Sequence, residues 1–262
     1  MFNYSDGIVA ENIVNQFYNE ISNPQVRCFY AFQIMIEQVH SEVYSLLIDT
    51  LVKDPGEKMK LFHAIDEYPC IKRKAEWSLK YMEKVNKHGE IVPLGARLVA
   101  YACVEGIFFS SSFAAIFYFK KRNKMHGLGF SNELISRDEA LHCDFSCLVY
   151  NKLEEKISQD LIHEIVWQAV ECETDFVQEC LKSDLIGINS KTMIQYVKFC
   201  ADRLLVELNV EKMYNVTNPF EWMDLISLQG KTNFFERRVG EYAMAGVGVE
   251  KEDMVFDLDA DF

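Results

Sequence analysis

The stretch Gln33-Ile-Met-Ile-Glu-Gln-Val-His-Ser-Glu-Val-Tyr44 contains the unit Glu37-x-x-His40, and the same unit returns far down the chain as Glu139-x-x-His142 in Ser136-Arg-Asp-Glu-Ala-Leu-His142. Residues three apart on a helix share a face, so each unit offers one carboxylate and one imidazole in the same direction. Neither surrounding stretch, 25–52 or 131–154, contains a glycine or proline, and both can run as unbroken helix. Hard carboxylates with neutral imidazoles suit iron or manganese, where thiolates would not. Two such units facing each other describe a four-helix bundle around a carboxylate-bridged dinuclear centre. A single unit is common by chance; the pair is not.

Glu105 strengthens this reading. It stands in Ala102-Cys-Val-Glu-Gly-Ile-Phe-Phe109, with small or apolar neighbours on every side. A charged carboxylate buried without a partner is costly, so Glu105 is protonated, paired or bound to a metal. Beside two Glu-x-x-His units, the metal is the better account.

Composition sets the frame. The chain has 262 residues, 49% of them hydrophobic, with five prolines and twelve glycines, which favours one large all-α domain. A net charge of -13 argues against nucleic acid as a partner, because a binder needs a basic surface for phosphates. No uncharged apolar run reaches the roughly 18 residues of a membrane span. Asp6, Glu11 and Glu20 near the start speak against a signal peptide. The eight cysteines are scattered without a Cys-x-x-Cys pair, which reads as buried free thiols in the reducing cytoplasm.

Periodicity predicts helices over Ser5–Ile21, with Ser5-Asp6 as the N-cap, and over Gln25–Val52, with Phe29, Phe32, Ile36, Val39, Val43, Leu46 and Leu47 on one side. Shorter helices are expected at 55–66 and 69–86, then one very apolar helix over Pro93–Phe119. The basic turn Lys120–Lys124 and Gly127-Leu-Gly129 precede a helix at 131–154, followed by 157–182 and 190–208. From Glu241 onward no helical period remains, and the acidic end Phe256-Asp-Leu-Asp-Ala-Asp-Phe262 reads as a flexible tail with aromatic anchors.

Around the expected metal, Tyr44 follows His40 by one turn on the same face, where a phenol can exchange an electron and a proton with an oxidised centre. Asp138 precedes Glu139 by one and is placed to accept a hydrogen bond from an imidazole, fixing its tautomer. Phe109 and Phe113, one and two turns beyond Glu105, and Ile135, one turn before Glu139, can form an apolar pocket. His63, His88, His126 and His163 lack a matching carboxylate and read as surface or loop residues.

Several strings carry a specific resemblance. Arg27-Cys-Phe-Tyr-Ala-Phe-Gln33, Glu37-Gln-Val-His-Ser-Glu-Val-Tyr-Ser45, Val104-Glu-Gly-Ile-Phe-Phe-Ser110, Ser131–Phe145 and Gly230-Lys-Thr-Asn-Phe-Phe-Glu236 are similar to the small, radical-generating subunit of class I ribonucleotide reductase of the eukaryotic and viral type. The resemblance spans nearly the whole chain. It implies a ferritin-like helical domain over 1–236 and a tail over 237–262 that docks on the large subunit. It implies metal ligation by Glu37, His40, Glu105, Glu139 and His142, two iron ions with manganese as the other option, and a stable radical on Tyr44 in a pocket of Phe109, Phe113 and Ile135. Asp138 falls on the radical-transfer path, Tyr242 in Gly240-Glu-Tyr-Ala-Met at the relay toward the large subunit, and Phe256, Leu258 and Phe262 in the docking peptide. It also implies a homodimer. A storage or oxidase bundle of ferritin-like class would have no use for Tyr242 or for this tail.

The family's remaining ligand is an aspartate on a helix upstream of the Ser-Asp-Gly-Ile segment, close to a tryptophan of the radical path. Here Ser5-Asp6-Gly7-Ile8 stands almost at Met1, Asp6 belongs to the later motif, and Trp77, Trp167 and Trp222 do not match the relay position. Three readings follow: a truncated sequence, a short non-catalytic or regulatory isoform that still binds the large subunit, or completion of the site by Glu171 or Glu173. With one ligand fewer, this polypeptide is expected to bind metal weakly and to form little Tyr44 radical.

Overall fold

The computed structural model describes residues 13, 17–86, 88–182 and 187–223. The expected cap at Ser5-Asp6, Tyr242 and the tail residues Phe256, Leu258 and Phe262 lie outside the described residues.

Among the described residues the chain forms helices α1 (Tyr18–Glu20), α2 (Pro24–Leu51), α3 (Pro55–Phe62), α4 (Ala64–Glu67), α5 (Pro69–Met82), α6 (Leu94–Gly106), α7 (Ser110–Lys121), α8 (His126–Lys152), α9 (Gln159–Cys180) and α10 (Ser190–Glu207), and no strand. Their starts follow local chemistry. Asn23 Oδ1 accepts from the backbone N–H groups of Gln25 and Val26 at 2.9 and 3.2 Å, with Pro24 in the first turn of α2. Asp54 and Pro55 open α3 in the same way. Ser158 caps α9, and Asn189 with Thr192 forms a reciprocal capping box on α10.

Helix α6 is the centre of the bundle. Every residue from Gly95 to Glu105 is buried, and α8, α9, α5 and α10 pack around it. The close approach to α8 depends on Gly106: a Cβ there would lie 2.8 Å from Cys143 Sγ.

Several sequence expectations need correction. The single helix over 93–119 is two, because the chain breaks at Ile107–Phe109, where the N–H groups of Ile107 and Phe108 both turn to the Cys103 carbonyl at 2.9 and 3.2 Å. The segment 55–66 is likewise split at His63. Helix α8 begins at His126 and absorbs Gly127 and Gly129, since Asn123 and Met125, at φ 56° and 55°, take up the reversal of the chain. Leu94–Lys121 is long and apolar enough to cross a membrane, contrary to the reading above, yet 78% of its most apolar window is buried inside the protein. It is the core of the bundle.

Helix α2 turns its ligand-bearing face inward, as two facing Glu-x-x-His units require. Its buried residues are Tyr30, Gln33, Glu37, His40 and Tyr44, while Phe32, Val39 and Leu46 are exposed. The face that carries ligand-type side chains points inward, and the apolar stripe remains on the surface.

Candidate metal centre

Helices α2, α6 and α8 bring the ligand-type residues together. Glu37, Glu105, Glu139 and His142 each present an atom within 4.8 Å of the others, and all are buried. His40 completes the group: its Nδ1 lies 3.0 Å from Glu139 Oε1 and 3.4 Å from Glu37 Oε2. His142 Nδ1 lies 3.0 Å from Glu37 Oε1 and 3.2 Å from Glu139 Oε2. The two imidazoles, 6.3 Å apart, therefore both turn Nδ1 toward the same carboxylates.

His142 Nδ1 and Glu139 Oε2 hydrogen-bond, but other atoms of the cluster do not. Glu37 Oε1, His40 Nδ1 and Glu105 Oε2 are buried and have no hydrogen-bond partner in line. Buried polar atoms are nearly always satisfied, and a cluster of inward-pointing orphans is what a cation site looks like from its ligands. Three carboxylates and two imidazoles, none more than 4% exposed, need positive charge between them. The residues present fit a dinuclear metal site with oxygen and nitrogen donors.

The electrostatics agree. Burial disfavours charge on His40, but Asp138, Glu139 and Glu37 outweigh it and push the imidazole up to about 12. The same contest, with Glu139 and Glu37 prevailing over burial, takes His142 up to about 9. Glu139 is pulled down to about 2 although burial opposes this, because His142 and His40 stabilise its charge. Glu105 goes the other way: burial, then the charges of Glu139 and Glu37, raise it well above the carboxylate range. Protons hold the cluster together where a metal would, so metal uptake must release them.

Tyr44 is buried on the same face, and its hydroxyl donates to Asn132 Oδ1 at 3.0 Å. Asn132 is fully buried and anchored in turn by donating from Nδ2 to the Leu128 carbonyl at 2.9 Å. Ile135 lies one turn further along the same face of α8. Phe109 and Phe113 are buried at the α6–α7 junction, their rings 6.2 Å apart. Asp138 sits at the rim of the cluster, 37% exposed, with Oδ2 3.0 Å from His40 Nε2. That contact orients the ring with Nε2 toward Asp138 and Nδ1 inward, so a metal on Nδ1 would leave the remaining proton on Nε2.

Neither candidate for completing the site joins it. Glu171 is exposed, and Glu173 is buried in an ion pair with Lys74 while accepting from Ser111. Sequence reasoning missed Gln33, Tyr101 and Asn132. Gln33 Nε2 donates to Glu105 Oε1 at 3.0 Å and to Tyr101 Oη at 2.6 Å. Stepping one or two turns back from each ligand would have found all three, since Gln33, Tyr101 and Asn132 precede Glu37, Glu105 and Glu139 by four, four and seven.

Residues 1–219 match the family model described as ribonucleotide reductase, small chain. The chain belongs to this family. Membership makes it a small subunit of an oxidoreductase with a dinuclear metal centre, and the cluster above is the only such group among the described residues. The small subunit of ribonucleoside-diphosphate reductase from Dictyostelium discoideum is 56% identical over 95% of this chain and 72% of its own length. Among solved structures, the Rnr4 homodimer from Saccharomyces cerevisiae superposes with a TM-score of 0.72 at 34% identity, covering 92% of this chain and 74% of that one. The ribonucleotide reductase R2 subunit from Clostridium botulinum gives a TM-score of 0.77 at 24% identity, over 86% of this chain and 74% of that one, which establishes the shared ferritin-like fold.

Proposed function

We propose that Glu37, His40, Glu105, Glu139 and His142 hold a pair of iron ions, with manganese as the other candidate, and that Tyr44 carries the resulting radical. The observation that carries this reading is the convergence of buried carboxylates and imidazoles, among which Glu37 Oε1, His40 Nδ1 and Glu105 Oε2 have no hydrogen-bond partner. When bound, the metal pair supplies the electrons that cleave O2 and the oxidising power that follows. The protein's share is orientation and exclusion. Asp138 keeps the His40 proton on Nε2, leaving Nδ1 for the metal. Asn132 fixes the direction of the Tyr44 hydroxyl. Phe109, Phe113 and Ile135 keep water and reductants from the phenol.

Residues 1–236 form the helical domain in this reading, and 237–262 the tail. Tyr242 passes the oxidising equivalent toward the large subunit, on which Phe256, Leu258 and Phe262 dock, and ribonucleotides are reduced there. Two copies of the chain pair, as in the Rnr4 homodimer. Unpaired thiols at all eight cysteines suit the cytoplasm.

The test loads metal-free protein with ferrous iron and O2 and follows bound metal and the EPR spectrum. A tyrosyl signal of low yield, in proportion to the iron bound, is expected in the wild type and lost in Tyr44→Phe with the same iron bound. Deleting residues 256–262 should leave the signal and abolish binding to the large subunit. Iron uptake unchanged by Glu139→Gln would overturn the reading.

A further inference from the structure

Lys74 has no part in the metal cluster, yet it is buried against the break between α6 and α7. It lies on α5 and is 4% exposed. Its ammonium donates to the Phe108 carbonyl at 3.0 Å, pairs with Glu173 on α9, and sits 5.3 and 3.9 Å over the rings of Phe108 and Phe176. Glu173 is fully buried and also accepts from the Ser111 hydroxyl in the first turn of α7. One buried ion pair thus grips the chain on both sides of Phe109. Stability alone is a poor account of it, because apolar residues of similar volume often serve a core as well or better.

What the pair fixes is backbone direction. Phe109, at φ -99° and ψ -11°, lies in the sparsely populated bridge region between helix and strand. Such conformations persist where the surroundings over-determine them. Ser110 closes on the Ile107 carbonyl with its N–H at 3.0 Å and its hydroxyl at 2.6 Å, and the Phe109 carbonyl accepts from the Phe113 N–H at 3.0 Å. These contacts are local; the Lys74 contact comes from another helix. The carbonyl it holds belongs to the peptide between Phe108 and Phe109, whose rotation swings the Phe109 ring. That ring is buried, 6.2 Å from Phe113.

We propose that Lys74 is a positioning residue for the radical: through the Phe108 carbonyl it keeps the Phe109 ring in the wall around Tyr44, a role that rests on the Tyr44 reading of the preceding subsection. Glu105 precedes the break and is set within α6, so iron binding does not depend on Lys74. Access to the phenoxyl does. Once the peptide before Phe109 is free to rotate, the ring leaves its place and small reductants reach Tyr44.

The experiment compares the wild type with Lys74→Met/Glu173→Leu, which removes both charges together and leaves no buried carboxylate unpaired. Each protein is loaded with ferrous iron, exposed to O2 and then given hydroxylamine, a small one-electron reductant. Bound iron, melting temperature and the decay of the tyrosyl EPR signal are followed. The double variant is expected to bind iron as the wild type does and to lose its signal several-fold faster. Phe109→Leu should speed the decay as much, and adding it to the double variant should speed it no further. Equal decay in the wild type and the double variant overturns the inference and leaves the metal reading standing, as do effects that multiply when Phe109→Leu is added. If the double variant loses its fold or its iron, Ser111→Ala decides: the hydroxyl it deletes braces the same pair, so faster decay is expected and unchanged decay overturns the role. A wild type that binds iron without a tyrosyl signal overturns the Tyr44 reading and this role with it.

Discussion

At the scale of single residues, function turns on which nitrogen of an imidazole faces the metal. Asp138 is half exposed and makes one contact with the cluster, yet that contact fixes His40 with Nδ1 inward. Asp138→Asn is expected to weaken iron affinity by about 10–100-fold while leaving the fold intact; an unchanged iron titration would make Asp138 a bystander. The same side chains govern stability in the absence of metal. His142 is raised from 6.5 to about 9, burial being outweighed by Glu139 and Glu37, so its contribution is full below pH 6.5 and lost as pH rises through about 9. Glu139, lowered from 4.5 to about 2 by His142 and His40 against the effect of burial, contributes above pH 4.5 and loses that contribution toward pH 2. The melting temperature of the metal-free protein should therefore fall between pH 6.5 and 9. The iron-loaded protein, with no proton on the ligating nitrogens, should not show this fall. Parallel curves for the two forms would contradict the assignment.

At the scale of elements, the break between α6 and α7 is held from outside. Lys74 on α5 donates to the Phe108 carbonyl at 3.0 Å, pairs with Glu173 on α9 and lies 3.9 Å over the Phe176 ring. Glu173 also accepts from Ser111 in the first turn of α7. Lys74→Met leaves Glu173 buried and uncompensated, and is expected to cost about 3–5 kcal/mol in a denaturant titration. Adding Glu173→Leu should recover most of this; if the losses of the two single variants instead add in the double variant, the pair is not coupled. This break also marks where the sequence stops being readable. Ile107-Phe-Phe109 has the composition of continuing core helix, and what ends it is a lysine far away in the chain. By contrast, the two Glu-x-x-His units were legible because spacing alone puts both ligand types on one face of an unbroken helix. Periodicity alone did not say which face of α2 is buried: hydrophobicity favours Phe32, Val39 and Leu46, and the demand to bury Glu37, His40 and Tyr44 overrides it.

At the scale of the whole molecule, that override leaves an apolar stripe. Phe32, Met35, Val39 and Leu46 are 68%, 50%, 44% and 60% exposed, at spacings of three, four and seven that keep them on one side of α2. Such a seam on a helix is the pattern by which helices pair. In a homodimer that covers it, Phe32→Glu with Leu46→Glu should shift sedimentation from dimer to monomer; a dimer indifferent to both would place the contact elsewhere. The acidic surface, -13 in net charge, needs no role in phosphate binding if ribonucleotides are handled by the large subunit. Everything in the account depends on the buried cluster being a working metal centre beside Tyr44. The direct test is the EPR spectrum of the iron-loaded chain after exposure to O2, read together with bound iron. A small tyrosyl signal that rises with bound iron and is absent from Tyr44→Phe is the expected result. Bound iron without that signal, or the same signal in Tyr44→Phe, would contradict it.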